Sequence, residues 1–440
     1  MHASLRCASV WLLVAAASTG GRAFAAHDEL GRQTLPANDG WAALDTGTTG
    51  GSAADADHVF TATNRQELVA ALNSQDATPK IIYVSGTIDV NVDDGNQPLT
   101  CADYYRDGYT LEAYLTAYDP ATWGREDVPS GPLEDARVAS QKVQQDRVRI
   151  RIGSNTTIVG LGKHAVIKGA WFDIRNATNI IIRNLTYRDT FDCFPQWDPT
   201  DGSQGNWNAL YDSISLRNST HVWIDHNTFE DKRTADETLP SYFGRLFQVH
   251  DGQTDITNAS DLVTVSWNVY RNHDKVMLIG SSDSGSTARG DVGKLNVTIH
   301  HNLFDHVNQR APRVRFGKVH IYNNLYLIKH GWRYSYSWGV GIQSMIYAEN
   351  NLFWMDKTQT PAEIIDVFKG TAIHVAGTLV NGLTDRNLVD LLAAYNEAND
   401  PDLTADVGWT PTLLLRVDPT KWVFWTVMPH AGPFHRRYHR

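Results

Sequence analysis

Five segments of this 440-residue chain repeat one pattern. Each runs through alternating β-branched or apolar residues to an asparagine, with an aromatic residue two places further on. They read "HVWIDHNTFED", "LVTVSWNVYRN", "NVTIHHNLFDH", "KVHIYNNLYLI" and "SMIYAENNLFWM", with asparagines at Asn227, Asn268, Asn302, Asn324 and Asn351. The intervals are 41, 34, 22 and 27 residues, and "NIIIRNLTYRD", with Asn184, is a looser earlier copy. A period near 22 with variable insertions constrains the fold more tightly than composition does. Each coil of a solenoid must bring a short strand and a turn back to the same place. Stacking then sets each asparagine above the last, where its amide can bond inside the core. These asparagines are therefore read as structural, and the insertions as protruding from one side, where sites in solenoids tend to lie.

Before the coils, "TNRQELVAALN" (63–73) predicts a capped amphipathic helix, with Asn64 or Thr63 as cap and Leu68, Val69 and Leu72 on one face. Such a helix covers the open end of the core and blocks edge-to-edge stacking. Residues 92–146 are polar and mostly non-periodic, and read as a helical or looped insertion. The segment after about residue 400 reads as irregular, ending in a solvated basic tail, "HRRYHR".

The N-terminus has the form of an export signal: Arg6, the apolar run "VWLLVAAA", then "AFA" before Ala26. That run is too short to span a bilayer. Residues 1–25 hold two arginines and no acids, so their removal takes the formal charge from −10 to −12. A net negative chain argues against nucleic acid or an anionic membrane as partner. Of three cysteines, Cys7 leaves with the signal, and an exported chain could join Cys101 to Cys193 or keep two unrelated thiols.

The candidate chemistry lies elsewhere. "HDGQTDI" places Asp251 and Asp255 four apart around Gly252, and "LYDSISL" supplies Asp212. Three carboxylates with few cysteines suit a hard cation such as Ca²⁺ better than zinc. His226, His250, His273, His300 and His301 fall within the repeats and read mainly as core or turn residues. "NHDKVMLIGSSDS" places Lys275 after an alternating run, and "NQRAPRVRFGK" concentrates Arg310, Arg313 and Arg315 in an acidic chain. Strand alternation groups Arg313 with Arg315, without saying which meets a ligand.

The segments "WIDHNTF", "HDGQTDIT", "HDKVMLIGSSDS" and "QRAPRVRFGKVHIYNNLY" resemble those of the pectate lyases, extracellular enzymes built on a right-handed parallel β-helix. The likeness runs from "GWAALDTGTTGG" to "VGWTPTL", nearly all of the chain beyond residue 25. The resemblance implies that Asp212, Asp251 and Asp255 bind Ca²⁺, that Arg310 is the base, and that Lys275 and Arg315 hold substrate carboxylates. It gives Arg313 no such part. It also implies a secreted enzyme acting on polygalacturonate by β-elimination, while the capped ends, which leave no obvious assembly surface, make a monomer the expectation. Leu210 departs from the pattern, because similar chains often carry a polar or acidic residue two places before the first aspartate.

Arginine as a base has a stated energetic cost. With a reference pKa of about 12.5–13.8, its neutral form costs roughly 7–9 kcal/mol at pH 7 and roughly 3–5 kcal/mol at pH 10. A nearby cation and Lys275 are expected to disfavour the protonated form. Three other readings remain at this point. A pectin lyase would act on esterified polymer without Ca²⁺. A galacturonan hydrolase would need acids placed to activate water. A non-catalytic β-helix module would bind polymer without cutting it.

Overall fold

The computed structural model describes residues 29–72, 76–233, 235–283, 290–329 and 333–434. The predicted signal (1–25) and the "HRRYHR" tail lie outside the described residues. Short strands stack into three parallel sheets of ten, eight and nine strands, the right-handed parallel β-helix that the sequence anticipated. One coil runs Ile214–Arg217, Thr220–Asp225, Thr228–Glu230, visiting each sheet once. The next runs Thr254–Thr257, Asp261–Ser266, Val269–Lys275. They pair in parallel register, Val222 against Val263 and Phe229 against Tyr270. A residue type therefore recurs directly above itself, as the repeat predicted.

The asparagine column is the clearest result of that register. Asn227, Asn268, Asn302, Asn324 and Asn351 are fully buried. The Asn302 Oδ1 accepts from the backbone N and the Nδ2 of Asn268 at 2.8 and 3.1 Å. Asn324 and Asn351 repeat this arrangement one coil later each. Beside the column, Tyr187, Phe229, Tyr270, Phe304, Tyr326 and Phe353 stack with centroids 4.2–5.3 Å apart. Asn302→Ala orphans two buried donors on Asn268. It is expected to lower unfolding free energy by roughly 2–6 kcal/mol, at about 1–3 for each donor. Urea unfolding checks this, and a loss under about 1 kcal/mol would dismiss the ladder as a stabilising device.

Asn184 is not a rung of this ladder. Leu185 takes that position and donates its N–H to Asn227 Oδ1 at 3.0 Å. Asn184 sits one place earlier, in the left-handed turn column with His226, Trp267, His301, Asn323 and Asn350, all with φ between 49° and 56°. Asparagine suits both columns, because its short amide tolerates left-handed backbone and also bonds along the stack. The sequence alone could not separate the two.

The predicted N-terminal helix forms over Arg65–Leu72, with Asn64 Oδ1 accepting from Glu67 N at 3.0 Å. Leu68 and Leu72 are buried in the main core. The insertion contains helices Leu111–Ala117 and Pro132–Val148. It packs through Tyr104, Tyr109, Tyr114, Phe194, Trp197 and Trp207. Cys101 and Cys193, which the sequence left open, form a disulfide across 92 positions. A closed loop of that size constrains the unfolded chain by about 4–5 kcal/mol on the chain-entropy model.

The C-terminal expectation needs correction. Residues 401–419 are irregular, as expected, but a helix forms over Thr420–His430 and is strapped along the left-handed turn column. Its Val423 and Val427 are buried against Leu303, Leu325, Leu352 and Leu379. Asp418 N donates to Asn323 Oδ1, Gly432 N to the Trp267 carbonyl, and Phe434 N to Asn184 Oδ1. The segment carries no coil repeat because it crosses the coils instead of extending them. Periodicity was therefore the wrong signal for it.

Candidate active site

Chain leaving the nine-stranded sheet and entering the eight-stranded one passes a single edge of the solenoid. Asp212 precedes the strand Ile214–Arg217, and Asp251 and Asp255 flank the entry to Thr254–Thr257. Lys275 ends the strand Val269–Lys275 and pairs with Gln309 on the following coil. Arg310 comes next. Residues scattered over about 100 positions thus meet because coil stacking returns the chain to one place.

The three carboxylates crowd around Gly252, whose backbone N–H donates to Asp212 Oδ1 at 2.8 Å. A methyl group on Gly252 would lie 2.9 Å from that oxygen and closer still to Asp255 Oδ1. Asp255 Oδ1 accepts from Leu278 N at 3.0 Å, Asp212 Oδ2 from the Ser215 hydroxyl, and Asp251 Oδ1 from Lys275 Nζ at 3.0 Å. Burial and the Asp251 charge push the Asp212 carboxyl up to about 7. Burial and both neighbouring aspartates push Asp255 up as well. Burial also opposes charge on Asp251, but Lys275 and Arg310 outweigh it and hold that carboxyl below its ordinary value. Crowded oxygen donors carrying this much mutual repulsion have the chemistry of a site for a hard cation. Among the described residues no three acids or histidines close into a preformed metal cage. The donor set fits Ca²⁺ once Lys275 releases Asp251.

The repulsion has a sign that can be tested in the metal-free protein. A carboxyl raised in the fold costs stability as pH climbs from its unfolded value, near 3.9, through its folded one. For Asp212 that climb ends at about 7. His273, held up to about 9 by Asp231 against its burial, adds a contribution lost as pH rises from about 6.5 through 9. Both act in one direction, so the thermal midpoint without metal is expected to fall between pH 6.5 and 9. Calcium should restore it increasingly at the alkaline end. A metal-free midpoint that rises across that range would refute the assignment.

Arg310 leaves the strand Leu303–Gln309 with φ 58°, a left-handed turn that breaks the side-chain alternation. Its carbonyl accepts from Met277 N at 2.8 Å, and Ala311 N donates to the Ser337 carbonyl at 2.8 Å, so neighbouring coils fix its backbone. The Nε of Arg310 is buried and makes no hydrogen bond. Burial works against its charge, yet Asp251, Tyr336, Asp255 and Asp274 together raise its pKa above the ordinary value. The neighbouring carboxylates thus outweigh burial, whereas the expectation of a disfavoured charge concerned the site with an ion bound.

Arg310 and Lys275 face a polar cavity of about 520 Å³, also lined by Asn206, Arg245, Asp274 and Arg333. Asn206, Arg245 and Arg333 were missed in the sequence, since they come from insertions with no period; Asp274 lies on the coil strand Val269–Lys275, beside the Lys275 that was singled out. Arg315 does not line this cavity. Its Nε meets Asp283 Oδ1 at 2.6 Å and its Nη1 donates to the Gly280 carbonyl at 2.7 Å. It must exchange Asp283 before it can hold a substrate carboxylate. Arg313 lies 3.7 Å over the Phe368 ring, a cation–π contact that serves packing. Leu210 is 39% exposed. His226, His250, His273, His300 and His301 sit within the coils, as expected.

A parallel β-helix with carboxylates and cations gathered at one edge is an arrangement that a polysaccharide lyase can use, and comparison with known proteins places the chain in that class. Residues 29–112 and 129–382 match the pectate lyase family model. A pectate lyase of Bacillus subtilis (strain 168) is 48% identical over 409 residues, covering 92% of this chain and 94% of that protein. A solved lysine-for-arginine mutant of the Bacillus subtilis enzyme superposes with a TM-score of 0.87 at 48% identity, covering 93% of this chain and 100% of that one. A pectate lyase solved with a bound hexasaccharide gives 0.87 at 48% identity over 92% and 99%. This chain belongs to the pectate lyase family.

Proposed function

We propose that this pectate lyase is exported and cleaves de-esterified α-1,4-galacturonan by Ca²⁺-dependent β-elimination, releasing 4,5-unsaturated oligogalacturonides. The observation that carries this reading is the meeting of Asp212, Asp251 and Asp255 around Gly252, beside Lys275 and Arg310. Asp212, Asp251 and Asp255 would hold the ion. An ion held there would supply Lewis-acid stabilisation of the negative charge that grows at a uronate carboxylate as the C5 proton leaves.

The remaining work falls to the chain's own side chains. Lys275, freed from Asp251, places an ammonium at a uronate carboxylate, where negative charge grows as C5 loses its proton. Arg310, in its neutral form, takes that proton. The C5–H electron pair becomes the C4=C5 double bond, and the C4–O pair leaves on the bridging oxygen, which takes up a proton. No water is added across the bond. Arg315 offers a bidentate carboxylate contact further along the chain once Asp283 yields. The protein is read as a secreted monomer, with the 1–25 signal removed and no nucleic-acid partner. Among the described residues no helix is long and apolar enough to cross a membrane.

The test is polygalacturonate turnover followed by ultraviolet absorbance of the unsaturated product, with and without chelator, from pH 6 to 11. Activity is expected to vanish with chelator and to rise into the alkaline range, because populating neutral Arg310 becomes cheaper by about 1.36 kcal/mol per pH unit. An optimum near pH 5, or full activity on esterified pectin after chelation, would contradict the reading. A saturated product would identify a hydrolase instead.

A further inference from the structure

Beneath the cleft lies a buried pair that the reaction does not use directly. His273 is 2% exposed and sits on the same strand as Lys275, two residues earlier. Residues i and i+2 of a strand point to one side. Both side chains reach Asp251, Lys275 at the carboxylate (3.0 Å) and His273 Nε2 at the main-chain carbonyl (2.8 Å). The other ring nitrogen, Nδ1, lies 2.6 Å from Asp231 Oδ2, itself buried. A carbonyl and a carboxylate can only accept, so each ring nitrogen must donate and the ring is the imidazolium. The turn is gripped on either side as well. His250 Nδ1 is 2.6 Å from the Thr190 carbonyl, and Gly252 N donates to Asp212 at 2.8 Å.

We infer that the Asp231–His273 pair is a positioning device, which orients the Asp251 turn so that its carboxylate and Lys275 share the cleft. It rests on the proposed reading of Asp251 as a metal ligand, and neither residue touches substrate. Orientation from behind is what a crowded anionic site needs, since repulsion from Asp212 and Asp255 would otherwise swing Asp251 outward. A buried imidazolium does this better than a neutral donor because its bonds to Asp231 and the carbonyl are charge-assisted. Groups placed behind metal ligands in this way typically change metal affinity 10–100-fold when removed.

The experiment measures Ca²⁺ affinity calorimetrically on the full chain for wild type, His273→Asn, Asp231→Asn and a control, His320→Asn. His320 is a buried histidine bonded to Glu349 at 2.8 Å, away from the cleft. The first two variants are expected to weaken calcium binding at least tenfold while turnover at saturating calcium stays within about threefold. Asp231→Asn keeps an acceptor for the ring and guards against loss of folding in His273→Asn. His320→Asn is expected to lose stability with unchanged affinity. Equal calcium affinity in wild type and both cleft variants would overturn the positioning role alone. Wild type that binds no calcium would overturn the metal reading and this inference with it.

Discussion

Arg310→Lys is expected to lower polygalacturonate turnover by about 10³-fold while folding, calcium affinity and polymer binding stay near wild type. The magnitude follows from removing a positioned base, generally worth 10²–10⁴-fold. Lysine keeps the charge but is shorter and lacks the planar guanidine, so its nitrogen falls short of the place that the left-handed turn gives Arg310. A misplacement of about 1 Å is itself costly by about 10²-fold. Single-turnover kinetics with the ultraviolet readout measures the effect, beside calorimetry for calcium. Turnover within tenfold of wild type would remove Arg310 from the base role, whatever its position.

Gly252→Ala is the second large effect, and it arises from space instead of charge. The added methyl would lie 2.9 Å from Asp212 Oδ1 and closer to Asp255 Oδ1, so both carboxylates must retreat. Real Cβ atoms do not approach this closely, and the three acids can no longer face a common point. Calcium affinity is expected to drop by about 10²-fold, in the range that misplaced ligand geometry costs, with activity at sub-saturating calcium dropping in proportion. The coil itself should survive, since the atoms nearest the added methyl belong to carboxylate side chains and not to backbone. Calorimetry and a calcium titration of activity check this together. A variant with wild-type affinity would show that the ion does not sit among these three residues.

The two predictions differ in how far the sequence could have reached them. The roles of Arg310 and the aspartates came from the resemblance of whole segments, not from spacing. Spacing grouped Arg313 with Arg315, and the structure adds that both run beside glycines of the next coil. An added Cβ at Gly339 or Gly341 would approach their Cγ atoms to 2.9 Å. Arg310 lies an odd number of positions from both, and its left-handed backbone breaks the strand before them. The part of Gly252 was invisible in sequence, since a lone glycine between acids is an ordinary turn. His273 read as a core histidine, and it is one, but its neighbours across the coil give it a second consequence.

Periodicity alone determined the solenoid, the asparagine ladder and the aromatic stack. Those features depend on what recurs directly above itself, and parallel in-register stacking converts a sequence interval into a contact. The capping helix was also local, written in Asn64, Glu67, Leu68 and Leu72. Tertiary structure alone decided the disulfide between Cys101 and Cys193, the strap over the turn column, and the cavity walls from Asn206, Arg245 and Arg333. Each of these joins segments that share no period, so only the folded path of the chain brings them within reach. The charge balance at Arg310 belongs with them, because a pKa depends on distances that no interval in the sequence encodes.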